Sequence, residues 1–75
     1  MNHKQIDARG MRCPMPLLKL KQGLSDAAVG DILTVVATDA GSWRDIPAYV
    51  ALTAHILIDQ KESTDEYLFV VEKGE

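Results

Sequence analysis

Two apolar spacings alternate along the chain, and together they predict its elements. Ile6 to Arg9 reads as a short first strand, weakly marked, that leads through Gly10-Met11-Arg12 into a helix. In that helix Leu17, Leu20 and Leu24 recur at the i, i+3, i+7 interval of a core-facing stripe, with Lys19, Gln22 and Asp26 mostly on the other side. Pro14 suits the first helical position, where its missing amide is no loss, and Gly23 weakens the last turn. Gly30-Asp31 marks a turn. The run Ile32-Leu33-Thr34-Val35-Val36-Ala37 then predicts an interior strand, covered on both sides or centrally placed.

A second helical stripe follows in Ile46, Tyr49, Val50 and Thr53, after the turn residues Asp39-Ala40-Gly41. Its start has two readings. Ser42-Trp43-Arg44-Asp45 has the spacing of a capping box, but Pro47 removes an amide one turn in, and Asp45 could instead be the cap with Pro47 in the first turn. The segments His55 to Lys61 and Tyr67 to Lys73 flank the polar loop Glu62-Ser63-Thr64-Asp65-Glu66 and predict an antiparallel hairpin. The order is therefore β-α-β-α-β-β. Right-handed crossovers that progress in one direction put both helices on one face of the sheet, which gives a two-layer α/β (α+β) sandwich.

Seventy-five residues make one domain, residues 1–75. A chain this short buries only ~60% of its unfolded surface, which leaves little room for an enclosed cavity and places function on the surface. With 47% apolar and 25% charged residues it is an ordinary globular chain, not a disordered or low-complexity one. No apolar run approaches the ~18 residues of a membrane span, and Met1-Asn2-His3-Lys4-Gln5-Ile6-Asp7 lacks the apolar stretch of a secretory signal. A single cysteine, Cys13, forms no internal disulfide, as suits a reducing compartment, so a cytoplasmic location is expected. A net charge of −3 gives no footprint for direct nucleic-acid binding.

The charge is unevenly distributed. Lys4, Arg9, Arg12, Lys19 and Lys21 stand in the first 22 residues against Asp7 alone, and this basic part surrounds the cysteine. For Lys4 and Lys21 a solvated surface accounts for the charge. A lone cysteine is commonly a small buried hydrophobe, but Cys13 precedes Pro14 and so falls at the predicted N-cap, where amides and the positive end of the helix dipole favour a thiolate. Pro14 and Pro16 carry no amide hydrogen, which leaves Met15 and Leu17 as donors in the first turn. Magnitudes limit the effect. A thiol at pKa ~8.5 is only about 3% ionised at pH 7, and the dipole shifts that value by roughly 0.2 to 0.7 units. A pKa near ~6.5 needs about 2.7 kcal/mol, so Arg12, and Arg44 at the start of the second helix, would have to contribute.

Other chemistries fit poorly. Without a second cysteine there is no self-contained dithiol couple. His3 and His55 are scattered, so no metal-ligand spacing exists. A Cys-His hydrolase would need His55 beside Cys13 and a pocket that this chain can barely form. What remains is a nucleophilic sulfur whose reaction partner arrives on another molecule.

The run Asp7-Ala8-Arg9-Gly10-Met11-Arg12-Cys13-Pro14-Met15-Pro16 resembles the Cys-Pro-X-Pro signature of the TusA-like (SirA-like) sulfur-carrier proteins. Gly30-Asp31, Thr38-Asp39-Ala40-Gly41-Ser42, Arg44-Asp45-Ile46-Pro47 and His55 also fall where that family places similar residues. The chain departs from it at Thr38-Asp39-Ala40, where members often carry two adjacent acids and a proline, and at Ala54, where they carry glycine. The resemblance implies a mixed four-stranded sheet of order 1-2-4-3. It also implies that Cys13 accepts sulfane sulfur as a persulfide and passes it on, that Gly10, Pro14 and Pro16 shape its loop, and that Arg12, Arg44 and Asp45 belong to the surface partners recognise. A helix cap accounts for Asp45 equally well. The implied partners are a cysteine desulfurase or rhodanese-type donor, whose pyridoxal phosphate would be the donor's own, and a cysteine-bearing acceptor. No cofactor is expected on this chain. Thiolation of tRNA, molybdenum-cofactor sulfuration and general sulfur trafficking all use such carriers. The alternative is a binding or regulatory module in which Cys13 serves only packing.

Overall fold

The computed structural model describes residues 3–75, so Met1 and Asn2 of the expected domain lie outside it. Its elements run β1 (His3–Ala8), α1 (Met15–Asp26), β2 (Ile32–Ala37), α2 (Ser42–Ala51), β3 (Ile56–Glu62) and β4 (Tyr67–Glu72). The four strands form one sheet in the order β1-β2-β4-β3. β1 runs parallel to β2, whereas β4 is antiparallel to both β2 and β3. This is the two-layer β-α-β-α-β-β arrangement that the apolar spacing and the resemblance together implied.

The pleat sorts the strand residues. Leu33, Val35 and Ala37 of β2 and Phe69 and Val71 of β4 are buried on the helix side, and their neighbours in sequence lie half-buried on the other side. β2 is therefore central but covered on one side only, so the second form of the expectation holds and the first does not. Its unbroken apolar run reflects its place between two strands. Against this surface α1 sets Pro16, Leu20 and Leu24, and α2 sets Ile46 and Val50. Leu17, Tyr49 and Trp43 pack at the margin of the same cluster, and the Trp43 ring meets Tyr67 and Phe69 at centroid distances of 5.8 and 6.1 Å.

Gly23, expected to weaken α1, has a positive use. A Cβ there would come within 2.7 Å of Ile6 Cδ1 and 2.8 Å of Leu33 Cδ2, so glycine is what lets the helix lie this close to the sheet. In α2 the proline is interior. Pro47 leaves the Trp43 carbonyl without its i+4 amide, and Gln60 Nε2 of β3 donates to that oxygen at 3.0 Å. Neither expected cap of α2 is observed. The helix starts at Ser42 behind Gly41 with no side-chain cap, and Ser42 Oγ is buried without a hydrogen bond. β1 begins three residues earlier than its apolar content suggested, because pairing of His3, Lys4 and Gln5 with Ile32, Leu33 and Thr34 extends it. A bulge between Leu57 and Asp59 interrupts β3.

Candidate functional site

Cys13 lies in the β1–α1 loop, where the C-terminal ends of β1 and β2 meet the N-terminal ends of both helices. The chain leaves β1 through a turn in which Gly10 adopts φ +79° and its amide donates to Thr38 Oγ1 at 2.8 Å. That bond ties the cysteine loop to the end of β2. The Cys13-Pro14 peptide is cis. The N-cap of α1 is Pro14, one residue later than the sequence suggested, and buried Pro16 sits in the first turn. Cys13 is thus outside the helix. The Met15 amide, expected to face the sulfur, donates instead to the Arg12 carbonyl at 2.8 Å.

The sulfur is exposed and apart from the buried core, so packing does not account for it. Its partner is a carboxylate: Cys13 Sγ donates to Asp45 Oδ2 at 2.7 Å. Asp45 belongs to the first turn of α2 and neither caps that helix nor stands free on the surface. Gly41 completes the fit. A Cβ there would lie 3.4 Å from Cys13 Cβ, 3.8 Å from Sγ and 2.9 Å from Asp39 Oδ2, while the Gly41 amide donates to the same Asp39 oxygen at 3.1 Å.

These neighbours reverse the expected electrostatics. The Asp45 hydrogen bond pushes the Cys13 thiol above its ordinary value, desolvation and the charges of Asp45 and Asp39 push the same way, and Arg44 alone opposes them. The basic cluster does not converge on the sulfur. Arg9 pairs with Asp7 at 2.9 Å and Glu66 at 3.6 Å, holding the Asp7 carboxyl down at about 2, and Lys21 lies over the Tyr49 ring. Arg12 is exposed beside Cys13 in the loop.

His55 lies just before β3, whose first residue is in register with Glu72, itself opposite Ile32 and so beside His3. Both histidines therefore lie at the other end of strands ~17 to 20 Å long, beyond reach of Cys13. Among the described residues no group of three or more His, Cys, Asp or Glu could hold a metal ion, and no helix is long and apolar enough to cross a membrane. A shallow depression of about 350 Å³ is lined by Gln5, Asp7, Arg9, Val36 and Glu66 and does not include Cys13.

The family model described as "Sulfurtransferase TusA" matches residues 4–73. The chain belongs to the TusA family. It is 40% identical over 69 residues to the sulfur carrier protein TusA of Pseudomonas fluorescens, covering 92% of this chain and 83% of that protein. To the sulfur carrier protein TusA of Allochromatium vinosum it is 36% identical over 71 residues, covering 95% and 93%. The crystal structure of a SirA-like protein from Desulfitobacterium hafniense superposes with a TM-score of 0.81 at 20% identity, over 96% of this chain and 99% of that one, which shows the shared fold.

Within this TusA chain the sequence had singled out Cys13, Gly10, Pro14, Pro16, Arg12, Arg44 and Asp45, and the structure puts Asp45 in contact with the Cys13 sulfur, with the charge of Arg44 acting on it. It adds Asp39 and Gly41, read from the sequence as turn residues and as part of a family-like segment but given no role at the site. The available signal was the quoted segment Thr38-Asp39-Ala40-Gly41-Ser42. Its place beside Cys13 follows only from the parallel pairing of β1 and β2.

Proposed function

We propose that this chain is a sulfur carrier in which Cys13 takes sulfane sulfur from a donor protein's persulfide, holds it as Cys13-S-SH, and yields it to an acceptor cysteine. The observation that carries this reading is the exposed Cys13 thiol, held at one end of the fold in a chain whose residues 4–73 match the sulfurtransferase family. In loading, the electron pair of the Cys13 sulfur attacks the outer sulfur of the donor persulfide, the donor's S–S bond breaks, and the donor cysteine leaves with the pair and takes up a proton. In delivery an acceptor thiolate repeats this attack on the carrier. No net oxidation occurs, so the carrier needs no second cysteine and no prosthetic group. A cysteine desulfurase, whose own pyridoxal phosphate does the carbon–sulfur chemistry, or a rhodanese-type protein fits the donor role. Cytoplasmic sulfur relays, tRNA thiolation among them, are the setting we propose.

Incubation with a desulfurase and free cysteine, followed by intact-mass measurement, tests the reading. One sulfur mass is expected on the native chain and none on Cys13→Ala. An unmodified native chain would refute the carrier.

A further inference from the structure

A sulfur carrier must release its cargo to the right thiol and withhold it from others, and the site contains a feature suited to withholding it. A carboxylate oxygen sits 2.7 Å from the sulfur that must depart when cargo is delivered. The rate of sulfur exchange depends on how readily the departing thiol accepts negative charge. A carboxylate in contact opposes that charge, and it also repels the anionic thiolates that would attack. We propose, resting on the carrier reading above, that Asp45 is a cargo guard: its carboxylate makes Cys13 a reluctant leaving group, so sulfur stays on the carrier until a partner protein brings a cation to that carboxylate.

The step balances without a further reactant. An attacking thiolate forms a bond to the outer sulfur of Cys13-S-SH, the bond between that sulfur and Sγ breaks, and the pair passes to Sγ. The new thiolate takes a proton from water and again donates to Asp45. The charged groups that act on the sulfur are Asp45 and Arg44 from α2 and Asp39 from the β2–α2 loop; Arg12 is exposed on the loop of Cys13 itself. The two carboxylates prevail over Arg44, the one cation among the groups that act on the thiol. A Lys or Arg beside the partner's reactive cysteine would pair with Asp45, relieve the repulsion and open the exchange. A small thiol without a cation positioned to pair with Asp45, dithiothreitol for example, meets the guard in place.

The test compares native, Asp45→Asn and Asp45→Ala proteins, checked for equal folding by circular dichroism. Each is loaded with sulfur from inorganic polysulfide and discharged to dithiothreitol, and unloaded samples are alkylated with iodoacetamide across pH 6 to 10. Loss of the carboxylate should speed discharge, the more so the further the thiol midpoint falls, and the alkylation midpoint should move to lower pH in both variants. Normal loading with equal discharge rates or an unmoved midpoint overturns the guard and leaves the carrier intact. A native protein that takes no sulfur on Cys13 ends the carrier reading itself.

Discussion

At the residue scale, the thiol is governed by a balance of contacts, not by its distance from a helix end. The Met15 amide, which the sequence offered as a donor to the sulfur, is engaged by the Arg12 carbonyl, whereas Asp45 touches the sulfur directly. A raised thiol is scarce as thiolate at neutral pH but more nucleophilic once ionised. Arg44 is the counterweight, and its removal should show. Arg44→Gln should slow alkylation of Cys13 by iodoacetamide at pH 7 about two- to fivefold, the range of a partly screened surface charge. A rate equal to the native one would mean that Arg44 does not reach the sulfur. The prominence of Cys13 was legible because Cys13-Pro14-Met15-Pro16 is locally distinctive. The sign of its perturbation was not, because Asp45 is 32 residues away in sequence and only the fold makes it adjacent.

At the element scale, α2 tolerates an interior proline because a strand supplies what the helix lacks. The Trp43 carbonyl has Gln60 Nε2 in place of the amide that residue 47 cannot offer. Gln60→Leu should therefore destabilise the protein by ~1 kcal/mol through an unpaired carbonyl, a fall of about 4 to 8 °C in Tm for a domain of this size. Pro47→Ala restores an amide at the right position, so the double variant Pro47→Ala/Gln60→Leu should recover most of that loss. Additive losses in thermal melts would show that the two residues do not share this carbonyl. The conflict between a capping box at Ser42 and a proline five residues later was visible in the sequence. Its resolution was not, because it depends on which β3 side chain faces α2.

At the scale of the whole molecule, apolar spacing was enough to order the elements and put the helices on one face, since burial of Leu20, Leu24, Ile46 and Val50 against Val35 and Phe69 admits one layering. The strand order came from the resemblance. Spacing alone could not decide whether the closing hairpin pairs through β3 or β4, because both strands offer alternate apolar residues. A pH dependence of stability is expected where the chain enters that hairpin. His55 Nδ1 accepts the Gly74 amide at 2.9 Å, and burial together with Lys73 pushes the imidazole below its ordinary value. The unfolded chain therefore takes up this proton first, near pH 6.5, so stability falls as pH drops through 6.5 toward the lower folded value and is full above it. Native protein should lose more Tm between pH 7.5 and pH 5.5 than His55→Gln does. Equal losses would assign the acid sensitivity to other groups.

The register that sets His3 beside Ile32 and Ile32 beside Glu72 brings both extremities of the described chain to one pole. The exposed Cys13 sulfur occupies the other. Anything moored at either extremity, a fused domain or a solid support, would stand a strand's length from Cys13 and leave its approach clear, so a tethered copy should be alkylated at Cys13 as fast as a free one.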